Sequence, residues 1–197
     1  MSRDGQFPLT VACAEGHVEI VEKLIATGAD INQPAQNGDF DECAGFTPLI
    51  YATQVGSEGP LHSEGTDIMQ LLLAAGANVD GVDAAGYTAL MYACKWGSLT
   101  VIDLLLTAGA DMRHTSNCGG TALHSVANTL SGDTPEHVAT VVSIVIAEGV
   151  DIDAVDTFGC TALATAMRSG NAVIASTILS AGATVKLGVD SPLYIAA

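Results

Sequence analysis

The sequence predicts an all-α protein, built as a stack of helix pairs linked by projecting hairpin turns. Three observations predict it. A triplet of the form T-A-L or T-P-L recurs: Phe7-Pro8-Leu9, Thr47-Pro48-Leu49, Thr88-Ala89-Leu90, Thr121-Ala122-Leu123, Thr161-Ala162-Leu163 and Ser191-Pro192-Leu193. G-A-D or a near relative closes each unit: Gly28-Ala29-Asp30, Gly76-Ala77-Asn78, Gly109-Ala110-Asp111, Gly149-Val150-Asp151 and Gly182-Ala183-Thr184. Where nothing is inserted the spacing is regular: Leu90 to Gly109 is 19 residues and Gly109 to Leu123 is 14, a period of 33. A period of that size marks an architecture in which no single unit buries its own apolar face, so neighbours must stack.

Residues 86–113 show the unit most plainly. Thr88 stands at the N-cap of a short helix, Ala89-Leu90-Met91-Tyr92-Ala93-Cys94, and Gly97 interrupts it. Ser98 caps a second helix, whose Val101, Ile102, Leu104, Leu105 and Leu106 leave little of its circumference for solvent. Gly109 ends it where a left-handed residue is common. With this period, the T-P-L/T-A-L openings and the G-A-D endings, the sequence resembles the ankyrin repeat family over nearly its whole length. The resemblance implies an ankyrin-repeat α-solenoid of stacked helix pairs, with projecting β-hairpin loops and a concave binding surface. It implies a single domain over 1–197, with repeats at about 5–32, 45–80, 86–113, 120–153 and 159–186 and a partial sixth at 191–197.

In chain order, the first repeat has its second helix at 17–26, with Glu19, Glu22 and Lys23 on a solvated face. Gly28 to Leu49 is then 21 residues, seven more than the regular 14. Pro34 and Asn37-Gly38 are turn signals, so the extra residues lengthen a hairpin tip carrying Asp39, Phe40, Asp41 and Glu42. The second repeat runs 27 residues from Leu49 to Gly76 instead of 19. Its extra eight fall within 55–65 and read as a loop between the helices, after which Thr66 caps the next helix. The third repeat is regular. The fourth carries an insert at 129–133, and Thr134-Pro135 restarts the helix with a cap and an N1 proline. The fifth is regular. The two inserts project from the edge opposite the hairpins; they either touch a partner or record tolerated drift in loop length. Only 11 residues separate Gly182 from Leu193, and the last residues are apolar. Either the chain is a piece of a longer protein, or the stub itself covers the last groove.

Composition narrows the function. Of 197 residues, 49% are hydrophobic and 14% charged, which is globular rather than disordered. Net charge is -16, from 22 acids against 6 basic residues. That argues against nucleic acid and anionic membrane, which demand clustered Lys and Arg, and for a basic partner. The longest apolar run, 138–147, is too short to span a bilayer. The start, Met1-Ser2-Arg3-Asp4-Gly5, reads as no signal peptide. The five cysteines are dispersed without a C-x-x-C pair, and Cys13 and Cys94 share a repeat position that suits a small buried side chain. This points to a reducing compartment, cytosol or nucleus.

No reactive constellation stands out. The run Asp151 to Asp156 lacks the glycine turn and terminal glutamate of a calcium loop; its acids are read as holding hairpin backbone amides. His114 and Cys118 have no second ligand pair nearby for zinc. His124, in T-A-L-H, is read as bonding backbone and hydroxyl groups. There is no nucleophile elbow, phosphate loop or H-E-x-x-H. The chain is therefore read as non-enzymatic, with no catalytic residue, metal or cofactor.

What remains is recognition. The resemblance implies that a partner meets the hairpin tips and the exposed face of the first helices, here Glu15, Phe46, Gln54, Tyr87, Lys95, Trp96, Asn128, Phe158 and Arg168. Trp96, the only tryptophan, is an interface anchor or packs on its own hairpin. Phe46, Tyr87 and Phe158 lie in hairpin arms and are contacts or braces. Asp39, Asp41 and Glu42 exceed what the repeat register explains, and would steer a basic peptide or domain. The resemblance also implies Asn32 as a substrate position for an asparaginyl hydroxylase. The expected function is a monomeric protein-interaction module. The alternative is the targeting or regulatory part of a larger enzyme or ubiquitin-ligase adaptor, motivated by the stub.

Overall fold

A computed structural model describes residues 7–35, 44–57, 62–128 and 135–185. Among these residues lie ten α-helices and no strand, so the fold is the all-α stack of helix pairs that the period predicts. The pairs are α1 (Pro8–Ala14) with α2 (Val18–Ala26), α3 (Pro48–Ser57) with α4 (His62–Ala74), α5 (Ala89–Trp96) with α6 (Leu99–Thr107), α7 (Ala122–Ala127) with α8 (Pro135–Ala147), and α9 (Ala162–Arg168) with α10 (Ala172–Ser180). The hairpins contribute only isolated antiparallel bridges, Val82 with Thr88 and Val155 with Thr161, among the described residues.

The recurring threonine explains why each first helix starts where it does. The hydroxyls of Thr47, Thr88 and Thr161 accept the amides of Ile50, Met91 and Ala164 at 3.2–3.3 Å. Each satisfies one of the amides that a helix start leaves unpaired. Phe7 has no such side chain, and there Pro8 takes the first helical position, where its missing N–H is not needed. Ser98 stands at the N-cap of α6 but makes no side-chain capping bond, contrary to expectation. The turn before it is closed by backbone instead, with the Gly97 and Ser98 amides donating to the Cys94 and Ala93 carbonyls at 3.3 and 3.2 Å. Gly109 has φ 90°, and the amides of Gly109 and Ala110 donate to Leu106 and Leu105 carbonyls, as the left-handed ending requires.

The second repeat departs from expectation. Most of residues 55–65 is helix, not loop, since α3 runs to Ser57 and α4 begins at His62. Thr66 is inside α4 and caps nothing; its hydroxyl donates to the Ser63 carbonyl at 2.8 Å. The physical reason is a close glycine contact: a Cβ on Gly65 would fall 2.1 Å from the Gly56 amide nitrogen. Two glycines let the helices approach until both extend by a turn or more. In the fourth repeat α8 does begin at Pro135. The insert at 129–133, Thr134, the tip with Asp39, Asp41 and Glu42, and the stub at 191–197 lie outside the described residues.

The chain falls into two compact units. The first comprises Met1–Ala93 and Ser98–Asp111. In it α1 packs on α2 and α3, α3 on α4, and α2 on α4. Its core holds Leu9, Val21, Leu49, Ile50, Ile68, Met69 and Leu72, with Leu90, Ile102 and Leu105. The second comprises Cys94–Gly97 and Met112–Ala197. In it α7 packs on α8 and α9, and α10 on α8 and α9. Its core is Leu123, Val126, Val141, Val142, Val145, Leu163, Ile174 and Ile178. Within each unit consecutive helix pairs lie side by side, which covers the apolar faces that one pair leaves open.

Candidate partner-binding surface

Three hairpin turns are each held by one side chain, a carboxylate in two and a hydroxyl in the third. In the first unit Asp83, buried, accepts the amides of Ala85 and Tyr87 at 2.9 and 2.8 Å on Oδ1. Its Oδ2 accepts the Tyr92 hydroxyl at 2.7 Å. In the second unit Asp156 accepts the amides of Phe158 and Cys160 at 2.9 and 2.8 Å. Ser116 does the same for Gly120 at 3.1 Å. These bonds fix the turn backbone and so fix where the residue two places on stands. That residue is Ala85 in one turn, Cys118 in the next and Phe158 in the third. Phe158 is 73% exposed, a large apolar ring held out on a rigid turn.

A second set of carboxylates and amides ties each repeat to the next. Asn32 Oδ1 accepts the amide of Asn78 at 2.8 Å, and Asp80 Oδ1 that of Asp111 at 2.9 Å. Asp153 Oδ1 accepts the Thr184 amide at 2.9 Å, and its Oδ2 the Thr184 hydroxyl at 2.6 Å. The third repeat has Arg113 in that register, and a guanidinium has no acceptor. Arg113 instead lies over Gly149 and donates to the Glu148 carbonyl at the end of α8, where a cation complements the helix dipole. Sequence reasoning missed this ladder. Its signal was the Asn or Asp standing two places after Asp30, Asn78 and Asp151.

The predicted site residues divide between the units. In the first, Phe46 is buried, with ring centroids 5.3 and 5.1 Å from Tyr51 and Tyr92, so it braces the hairpin and offers a partner no free face. Tyr87 is half-buried and 5.7 Å from Tyr92 in the same cluster. Glu15 and Gln54 are exposed at the ends of α1 and α3. In the second unit Lys95 and Trp96 are half-buried in the last turn of α5, and Asn128 and Arg168 are exposed at the ends of α7 and α9. Lys95, Asn128 and Arg168 hold the same register, so one edge of that unit carries them in a row. Arg168 also donates to the Cys160 sulfur at 3.8 Å. Asn32 is exposed, with its side-chain oxygen occupied in the ladder.

Beside Lys95 lies a small cleft lined by Cys94, Gly97, Val126, His137, Val138 and Ile174, with a ring nitrogen of His137 hydrogen-bonded to the Gly97 carbonyl. His124 behaves as predicted. Its Nδ1 accepts the Thr121 amide at 3.2 Å, so Nε2 carries the proton and donates to the Cys160 carbonyl at 3.0 Å. The acids of 151–156 bond backbone amides, as read. Burial pushes the Cys13 and Cys94 thiols up to about 12, which leaves them as packing groups rather than nucleophiles. Among the described residues no three His, Cys, Asp or Glu side chains converge to hold a metal ion, and no helix is long and apolar enough to cross a membrane.

Comparison with known proteins agrees with this geometry. A family model described as ankyrin repeats in three copies matches residues 1–61, 58–116 and 97–188. The human B-cell lymphoma 3 protein is 30% identical over 157 residues, covering 78% of this chain and 31% of that protein. An Arabidopsis thaliana E3 ubiquitin-protein ligase, XBAT33, is 34% identical over 112 residues, 52% of this chain and 22% of its own. The human ankyrin repeat and KH domain-containing protein 1 is 40% identical over 84 residues, 43% of this chain and 3% of its own. The chain spans half the length or less of the curated relatives it matches.

Proposed function

The chain belongs to the ankyrin repeat family, a family of protein–protein interaction modules, and from that premise we propose that it grips a protein partner through the hairpin tips and first-helix ends of its second unit. The observation that carries this is Phe158. Its turn is fixed by Asp156, and its ring is 73% exposed. A rigid, exposed aromatic loses little entropy when a partner covers it, and such residues dominate interface energies. Lys95, Trp96, Asn128 and Arg168 belong to the same unit and complete the surface.

The partner is a protein segment rich in Lys and Arg, and neither nucleic acid nor membrane. Net charge of -16 supports this through long-range attraction, to which Asp39, Asp41 and Glu42 contribute by their charge. The module acts as a monomer and without chemistry of its own. The free, buried thiols of Cys13 and Cys94 support a reducing compartment, cytosol or nucleus. A peptide library of graded net charge tests the charge reading. Binders should be enriched in Lys and Arg, and their affinity should fall with added salt. Neutral or acidic binders, or binding indifferent to salt, would sink it.

A second reading is favoured by the similarity to an E3 ubiquitin-protein ligase in which the matched part is 22% of the relative. Under it, this chain is the substrate- or partner-selecting piece of a larger enzyme. Reading the gene beyond the codon for Ala197 decides between the two.

A further inference from the structure

Charge divides unevenly between the two units. Fifteen of the 22 acids and two of the six basic residues, Arg3 and Lys23, fall in the first unit, which gives it -13; seven acids and four basic residues leave the second at -3. Aromatic side chains divide the same way at two registers of the repeat, the residue just before the opening triplet and the residue two after its leucine. These hold Phe46 and Tyr51 in the second repeat and Tyr87 and Tyr92 in the third, but Gly120 and Ser125 in the fourth and Cys160 and Thr165 in the fifth. Helices α7 and α9 form with the small residues in place, so the stack does not require rings there. In the first unit the rings touch in series: centroids are 5.3 Å apart for Tyr51 and Phe46, 5.1 Å for Phe46 and Tyr92, and 5.7 Å for Tyr92 and Tyr87. Phe46 is buried, while the three tyrosines are half-buried. Asp83 pins the group, since its Oδ2 accepts the Tyr92 hydroxyl at 2.7 Å and its Oδ1 the Tyr87 amide at 2.8 Å. A phenol that donates to a carboxylate holds more electron density in its ring, which strengthens the pull of the ring face on a cation.

We propose that Tyr51, Tyr87 and Tyr92 form a cation-binding site, on which an arginine of the partner stacks its guanidinium. This rests on the basic partner of the preceding subsection and adds where its charge lands: on the first unit, while the second keeps the apolar contact at Phe158. Arginine suits the site better than lysine. A guanidinium is planar and weakly hydrated, so it covers a ring face at little desolvation cost, whereas an ammonium is compact and strongly hydrated. The surroundings select a cation over a neutral group. A unit at -13 draws positive charge from a distance, and the Asp83 carboxylate stands directly behind the Tyr92 phenol. Rings already fixed by Asp83 and by contact with buried Phe46 lose little freedom when the arginine stacks.

The test titrates the full chain, carrying isotope-labelled tyrosine, with acetylated and amidated Gly-Arg and Gly-Lys repeat peptides of equal length. The arginine peptide should bind more tightly than the lysine peptide and should shift the ring resonances of Tyr51, Tyr87 and Tyr92. Tyr51→Leu/Tyr87→Leu keeps apolar volume but removes two ring faces, and should weaken the arginine peptide by about three- to tenfold. Tyr51→Phe/Tyr87→Phe keeps the faces and should bind within about twofold of the parent. Phe158→Ala, which alters only the second unit, is titrated beside them. Ring resonances that stay put on binding overturn the site, and because they are read on the parent chain this holds even if the leucine variant fails to fold. A leucine variant with intact helical circular dichroism and unchanged affinity overturns it too, as does a lysine peptide that binds as tightly as the arginine peptide. Loss of affinity in Phe158→Ala without loss in the leucine variant overturns the tyrosine site and leaves binding by the second unit standing. Binding of neither peptide overturns both.

Discussion

At the scale of single residues, the hairpins are held by carboxylates that accept backbone amides, and Asp83 carries the most. It is buried and takes two amides and a tyrosine hydroxyl. Asp83→Ala strands all three donors, and should lower unfolding free energy by about 2–4 kcal/mol. Urea titration checks it, and a loss under about 0.5 kcal/mol would mean that water replaces the carboxylate. The roles of Asp156 and His124 were legible, the first from its hairpin register and the second from T-A-L-H, while that of Asp83 was not singled out. Those of Phe46 and Phe158 were not legible. Both are hairpin-arm phenylalanines, and burial depends on whether a tyrosine pair happens to stand behind the ring. Cys13 and Cys94 add a pH effect. Burial raises their pKa from 9 to about 12, so their share of stability is intact below pH 9 and lost as pH rises from 9 toward 12. Each thiol should remove about 1.4 kcal/mol per pH unit over that window. Unfolding free energies at pH 8 and pH 10 check this: the Cys13→Ala/Cys94→Ala variant should fall less steeply than the parent, and equal slopes would contradict the cause.

At the scale of helices, starts and ends were legible wherever local chemistry decides them. Threonine caps, Pro8 and Pro135 at first helical positions, and Gly109 at a helix end all follow from short-range rules. The α3–α4 junction was not, because Gly56 and Gly65 in sequence read as loop, while in the fold they permit a backbone approach that no local pattern announces. Gly65→Ala should therefore separate α3 from α4 and destabilise the first unit by about 1–3 kcal/mol. Gly56→Ala meets its nearest atoms at 3.3 Å and should cost less. Thermal unfolding of the two variants tests the order. A milder Gly65→Ala would show that the helices do not touch there.

At the scale of the whole molecule, the stacked architecture was readable because the same unit is written five times, so each copy corrects the noise in the others. Charge was readable too: 22 acids against 6 bases is a property of the chain whatever its fold. The partner-facing residues were less so, since exposure is decided by neighbours that lie a full repeat away. The most direct measurement is an equilibrium titration of a Lys/Arg-rich peptide from the graded library against the parent chain and the Trp96→Ala/Phe158→Ala variant. The account predicts that the variant keeps its helical circular dichroism and binds about thirtyfold more weakly or worse. Unchanged affinity in a folded variant would contradict it.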